Sequence, residues 1–435
     1  DIIMGFPQPY VLLSRSDALE TRLNSVALGA IYAQRFSEEQ TKPRRAPGPA
    51  RTRTYRVVAV NPGSTSTKIA LFENEDCVRH LESEYMIPAA GTIEERRNQA
   101  DELAQRVLQL LHAASWQSVD AIAARGGFVP RPPEKLSGGA YVIAELQDGD
   151  VVVNESLMFA VLEHPEKQHA SNLGIPVAAV LARALTAPAY FVDPVVVDEF
   201  LPEAEISGYN GIVRRNISHA LSIRAGIRKA AEIMGRPVKD VHLVVAHLGG
   251  GVSVTAVRNG RMVDSNIALL GGGPFTPQRA GQLPTAELID LCFSGRFTRE
   301  ELLEELTTRG GLQSYLGEYR LDVIEDQIRA GNEYARLIVD AMTYQIAKEI
   351  GAMFAAAGCD IEAIVLTGGM IRSERIRNEL RRRVGKLAPI LIFDQPLEME
   401  ALAAGALGAL TAGSPPHRYL WEQPNHAAEG GTRHD

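Results

Sequence analysis

Residues 55–72 read YRVVAVNPGSTSTKIALF: an apolar run, a turn built of proline, glycine, serine and threonine, and a second apolar run starting at Lys68. The segment 55–60 reads as a buried strand and 68–72 as the strand returning beside it. A turn between two strands is neither a Walker loop nor a dinucleotide fingerprint, because each of those opens a helix. The chemistry of Asn61-Pro62-Gly63-Ser64-Thr65-Ser66-Thr67-Lys68 still suits phosphate. Glycine permits close backbone approach, the Ser64 and Ser66 hydroxyls and the amide protons donate, and Lys68 adds charge. A polar hairpin turn would read the same way, so the segment has to be weighed with its companions.

Working outward, a third strand is expected near 78–86, a helix over 93–112, and a strand at 119–124 ending in Arg125-Gly126-Gly127. Helices are expected over 170–186 and 216–234, with the strand AYFVD at 189–193 between them. The opening design then recurs: HLVVAHL (242–248), a GGG turn, VSVTAV (252–257), the hairpin turn Asn259-Gly260, and RMVDS (261–265). A third glycine turn, Gly368-Gly369, follows IEAIVLT (361–367) and precedes an arginine-rich helix. A helix over 398–412 and a polar tail close the chain. Strands alternating with helices define an α/β protein. The repeated strand–turn–strand–turn–strand pattern predicts two similar halves facing each other across a cleft.

Composition bounds the function. A chain of 435 residues exceeds one compact core, so two domains are expected. Hydrophobic content of 45% and charged content of 23% are ordinary for a globular protein. A net charge of -8 argues against nucleic acid as a partner, which requires a basic face. Cys77, Cys292 and Cys359 lie far apart without metal-ligand spacing. No apolar run approaches the roughly 20 residues of a membrane span, and no secretory signal pattern opens the sequence. These features predict a cytoplasmic enzyme that does not engage a membrane.

Three glycine turns in this order resemble the two phosphate elements and the adenosine element of the acetate and sugar kinase/actin superfamily. The wording is closest to the acetokinase family, and within it to the butyrate kinases: NPGSTSTK, ARGG, HASNLG, RRNISHALS, AHLGGGVSV, GGGPFTPQRAG, LTGGM and EMEALAAGAL occur in that order. The resemblance implies duplicated actin-like (ribonuclease H-like) domains with a central cleft. It divides the chain into 55–215, carrying substrate-side residues, and 216–415, binding nucleotide, with a tail at 416–435. In such a plan the final helix can pack back on the first half. Residues 1–54 stand apart as extension and linker. TKPRRAPGPARTRT (41–54) has linker composition, and 1–31 resembles the C-terminal end of phosphate acetyl/butyryltransferases, a piece too short for an active site.

The resemblance further implies ATP-dependent phosphorylation of a short-chain fatty acid to its acyl phosphate, reversible, with ATP/ADP and Mg²⁺, in a homo-oligomer. Butanoate is the expected acid; acetate, propionate or a branched acid would use the same chemistry. The alternative of another class is a non-catalytic actin-like nucleotide-binding protein. Phosphorylating a carboxylate joins an anion to a polyanion, so positioned cations matter more than a strong base. Arginine suits both carboxylate and phosphate oxygens.

Arg125 matches the family's substrate-side arginine and Arg279 its second active-site arginine. Asp193 matches the acid that orients the nucleophile or holds Mg²⁺ through water. His169 falls near the histidine that contacts the reacting phosphoryl group. His219 matches the last histidine of the acetate kinase FHGTSH segment, whose first histidine falls on Arg215 here, a permanent charge in place of a titrating one. Asn61, Ser64, Ser66, Lys68, Gly249, Gly250, Gly251, Gly368 and Gly369 are the expected nucleotide contacts. Asn61 and Glu400 are the expected metal-associated residues, with Glu398 in near register. Each also has a plainer reading: loop arginines are commonly solvated, and acids in a first helical turn commonly complement the helix dipole. The run Arg375, Arg377, Arg381, Arg382, Arg383 reads as a solvated helix face.

Overall fold

The computed structural model describes residues 2–3, 10–11, 53–63, 66–85, 92–163, 170–411 and 413–421. The chain divides into two units, 1–54 and 55–435. In the first, β1 (Ile2–Ile3) pairs antiparallel with β2 (Tyr10–Val11). The transferase-like reading of 1–31 otherwise lies outside the described residues.

Among the described residues the second unit contains two sheets. β3 (Arg56–Pro62), β4 (Ser66–Glu73) and β5 (Asp76–Glu84) form an antiparallel meander, and β6 (Ala121–Arg125) and β9 (Ala189–Val192) continue it in parallel with β3. A hairpin of β7 (Ala140–Gln147) and β8 (Asp150–Val153) adds to the far edge, giving the order β5-β4-β3-β6-β9-β7-β8. The second sheet repeats the plan. β10 (Leu243–Leu248), β11 (Val252–Arg258) and β12 (Arg261–Ser265) form the meander, and β13 (Ala363–Thr367) and β14 (Ile390–Phe393) run parallel to β10, in the order β12-β11-β10-β13-β14.

Val57, Val58, Ala59 and Val60 are all fully buried, as are Val244, Val245 and Ala246 on β10. Strands covered on both faces read as continuous apolar runs rather than alternating ones. The outer face of the first sheet packs on α1 (Ile93–Ala113), opened by a Thr92–Glu95 capping box, and on α3 (Gly174–Leu185), which follows α2 (Glu155–Glu163). Past the short α4 (Pro202–Glu205), α5 (Ala220–Met234) covers the inner face of the second sheet. Its outer face packs on a long helix, Glu333–Ala356, and on the helix Glu374–Val384. The alanine-rich final helix, Glu398–Leu410, packs on β3, β6 and β9 of the first sheet and on α5. Two small-residue helices therefore lie between the sheets, and their N-terminal ends meet the C-terminal ends of the central strands.

Several elements have no counterpart in the sequence reading: the β7–β8 hairpin, α2, β14, and the helices between residues 285 and 356. One expectation is corrected. The sequence predicts a polar tail from 416 onward, yet 417–421 runs beside β7. His417 N–H donates to the Ala140 carbonyl, Tyr419 is fully buried, and its hydroxyl donates to the Pro130 carbonyl at 2.7 Å. The aromatic side chains amid the polar residues, Tyr419 and Trp421, are the signal for this packing.

Candidate active site

The first half brings Asn61 and Arg125 together. Asn61 ends the apolar run of β3 and Arg125 ends β6, its parallel neighbour, so the two share the sheet face covered by the final helix. Arg125 donates to Asn61 Oδ1 at 3.4 Å. Burial lowers the Arg125 pKa, while the nearby Glu398 carboxylate opposes that effect. Glu398 stands in the first turn of the final helix and accepts a hydrogen bond from Ser222 on α5 at 2.9 Å.

The second half supplies the opposing groups. His247 lies at the end of β10, and its ring is 4.5 Å from that of His219, centroid to centroid. His219 caps α5, and its Nδ1 lies 2.7 Å from the Ser253 hydroxyl on β11. Burial pushes the His247 pKa down to about 4, against the pull of Glu398 and with the push of Arg125. The ring is therefore neutral near pH 7. Its Nδ1 is shut off from solvent and has no partner among the described residues. A buried nitrogen in this state calls for a polar partner that the described residues do not supply.

Arg279 completes the wall. Its loop is fixed by the Thr276 hydroxyl, which accepts from Arg279 N–H at 3.1 Å and donates to the Gly250 carbonyl at 2.7 Å. The guanidinium donates to the Ala268 carbonyl and lies across Gly251, where a Cβ would stand 2.2 Å from Arg279 Nη1 and 3.0 Å from His219 Cε1. Burial lowers its pKa as well. A side chain at 251 would therefore have to displace the Arg279 guanidinium. Gly368, just past the neighbouring β13, has φ +94° and would drive a Cβ to 2.4 Å from the Leu248 carbonyl oxygen. The turns 249–251 and 368–369 therefore lie side by side at the C-terminal ends of parallel strands, where ligands of open α/β sheets bind.

Not every sequence candidate joins this group. Glu400, expected as the metal-associated acid, is exposed and acts electrostatically on Cys77, whereas Glu398 acts on Arg125 and His247. The structure thus brings Glu398 to the cleft in place of Glu400, because two residues of helix rotate the side chain by about 200°. Asp193, expected beside the nucleophile or metal, is buried, and its Oδ2 has no hydrogen-bond partner among the described residues. It pairs with Arg224 at 3.0 Å and Arg228 at 3.5 Å and accepts from Gly139 N–H at 2.7 Å. Arg215 is exposed, and Arg214 pairs with Asp264 at 2.9 Å. Lys68 is exposed opposite Asn61 in register, and the Ser66 hydroxyl donates to Glu82. Ser64 and His169 lie outside the described residues. Among the described residues, no group of three or more His, Cys, Asp or Glu side chains could hold a metal ion. His247 is absent from the sequence candidates; its signal is a polar residue near the end of a wholly apolar strand, directly before Leu248-Gly249-Gly250-Gly251.

Two sheets of matching strand order, with glycine turns and arginines meeting between them, define an α/β fold of the acetate kinase type. Residues 201–389 match the Acetokinase family, a stretch that includes His219, His247, the glycines at 249–251, Arg279 and Gly368. Among solved structures, acetate kinase from Porphyromonas gingivalis superposes with a TM-score of 0.65 at 18% identity, covering 82% of this chain and 100% of its own. Acetate kinase from Entamoeba histolytica gives 0.61 at 17%, covering 76% and 87%. A propionate kinase from Francisella tularensis gives 0.60 at 15%, covering 81% and 99%. Among the described residues, no helix is long and apolar enough to cross a membrane.

Proposed function

We propose that this protein transfers the γ-phosphoryl group of ATP to a short-chain carboxylate, giving ADP and an acyl phosphate, and that butanoate is the preferred acid. The observation that carries this reading is the convergence of Arg125 from the first half with Arg279, His219 and His247 from the second. Acetate and propionate kinases share the fold, which supports the reaction class. The wording HASNLG and LGGG supports butanoate over the shorter acids.

In this reading the carboxylate oxygen attacks the γ-phosphorus and the bond to the β,γ-bridging oxygen breaks, its electron pair leaving on ADP. The nucleophile is already ionised, so the protein's task is positioning and charge stabilisation. Arg125 holds the carboxylate. Arg279 opposes the charge developing on the transferred group. His247, neutral before binding, offers a ring N–H donor at the same place, while the Ser253 hydroxyl fixes the facing His219 ring. Glu398 and Asn61 are oxygen donors of the kind that suits Mg²⁺, which keeps waters and takes few protein ligands. When bound there the ion would neutralise the phosphate oxygens. The same reading makes the protein a cytoplasmic homo-oligomer, with 55–215 and 216–415 as its two halves.

Trapping the acyl phosphate with hydroxylamine, over straight-chain acids of two to six carbons, tests the proposal. The expected result is hydroxamate formation with the highest kcat/KM at butanoate. A sharp optimum at acetate would remove the butanoate assignment, and nucleotide binding without hydroxamate from any acid would remove the kinase reading.

A further inference from the structure

The groups nearest the proposed reaction belong to two different sheets, so something must fix the distance between them. The residues that the proposed chemistry leaves unused supply a candidate. Arg224, little more than one turn beyond His219 on α5, stands between two carboxylates: Asp193 at 3.0 Å and Glu199 at 3.4 Å. Asp193 follows directly on β9, beside the Arg125 strand, and accepts from Gly139 N–H at 2.7 Å. Glu199 accepts from Gly138 N–H at 3.1 Å with one oxygen and from Met262 N–H at 2.9 Å with the other. Gly138 and Gly139 lead into β7 of the first sheet, and Met262 lies on β12 of the second. The guanidinium lies against Gly138, where a Cβ would stand 2.1 Å from Arg224 Cζ.

We propose that Asp193, Arg224 and Glu199 form a positioning hub, which holds the two sheets at the separation that lets Arg125 and Arg279 act on one ligand. The hub rests on the kinase reading for its catalytic consequence, but its structural content stands apart from it. Three successive contacts of α5 each hold part of the site: His219 to Ser253, Ser222 to Glu398, and Arg224 to Asp193 and Glu199. Arg228 adds a second cation to Asp193 at 3.5 Å. One oxygen of Asp193, Oδ1, is thus engaged by Arg224 and Gly139, which assigns it to positioning, while Oδ2 faces Arg228 without a hydrogen bond. The left-handed backbone of Asp193, φ +44°, fits that engagement: the side chain turns onto Gly139 and α5 as the chain leaves β9.

Two near-isosteric variants, Asp193→Asn and Glu199→Gln, test this in the full-length protein. Each removes one charge from the hub while keeping its volume, and circular dichroism verifies folding. Both are expected to lower kcat by comparable factors, about tenfold or more, because small misplacements are costly in oriented reactions. The Mg²⁺ concentration for half-maximal rate should stay unchanged. In both variants, exchange of the Gly138, Gly139 and Met262 amides with deuterium should accelerate, a measurement that does not depend on catalysis. Asp193→Asn raising the Mg²⁺ requirement while Glu199→Gln turns over normally would overturn the proposal. So would unchanged amide exchange in both variants. Should either carboxylate variant fail to fold, Arg224→Lys, which keeps the charge but loses the planar fork, is read by the same exchange measurement. A wild-type protein that forms no hydroxamate would refute the kinase reading alone and leave the exchange result to decide the hub.

Discussion

The two sheets share one strand plan and divide the chemistry unequally. β5-β4-β3-β6-β9 and β12-β11-β10-β13-β14 have the same order and the same directions. Yet the first turn, 62–67, is polar, while the matching turn of the second half is three bare glycines at 249–251. The first half contributes Arg125 and Asn61; the second half contributes Arg279, His219 and His247 around a backbone that no Cβ obstructs. A repeated fold thus places equivalent strand ends opposite each other, and the side chains at those ends then specialise. In the proposed reaction the first half grips a small anion and the second takes a polyphosphate against its backbone.

The largest expected effect breaks this division directly. Arg125→Ala and Arg279→Ala should each lower kcat by about 10²–10³-fold with the fold retained by circular dichroism, as for the loss of one donor to a developing charge. Near-normal rates for either would show that its half does not contribute as described. Next, Gly251→Ala should displace Arg279 and cost turnover by about tenfold or more, whereas Gly250→Ala, at a position with open space around it, should not. Equal effects at the two glycines would mean that backbone flexibility, not room for the guanidinium, is at stake.

A third comparison separates the two acids of the final helix. Glu398→Gln should raise the Mg²⁺ needed for activity and Glu400→Gln should leave it unchanged; the reverse order would reinstate Glu400. A smaller effect concerns His247. Its pKa of about 4 lies below the ordinary histidine value of 6.5, so between those values the unfolded chain binds a proton that the folded chain does not. The stability it contributes is whole above the unfolded value and is lost as pH falls toward the folded one. Melting curves at about pH 7 and about pH 5 should therefore show a larger loss for the wild type than for His247→Asn. Smallest of all, Tyr419→Phe should cost about 1 kcal/mol of stability by stranding the Pro130 carbonyl, with turnover little changed.

Much of the fold is legible in the sequence, because buried strands announce themselves as continuous apolar runs and glycine turns as costly exceptions. Both meanders can be read there in order and spacing. The β7–β8 hairpin and the short helices between residues 285 and 316 cannot, since helix and strand are not told apart in short stretches. At the site, Arg125, Arg279 and His219 stand out through their motifs. His247 is hidden inside an apolar strand, and the choice between Glu398 and Glu400 depends on helix rotation that spacing alone does not fix. Asp193 is legible only in part. Its position by the Arg125 strand is plain, but its partners, Arg224 and Arg228, lie about thirty residues or more away along the chain, where no local pattern ties them to it.

The central claim, transfer of phosphate to a carboxylate between these two halves, is tested most directly by phosphorus NMR of the protein with ATP, Mg²⁺ and butanoate. An acyl phosphate resonance should grow as the γ-phosphate signal falls, and no such resonance should appear with Arg125→Ala. Consumption of ATP to inorganic phosphate alone, at a rate unaffected by butanoate, would contradict the claim.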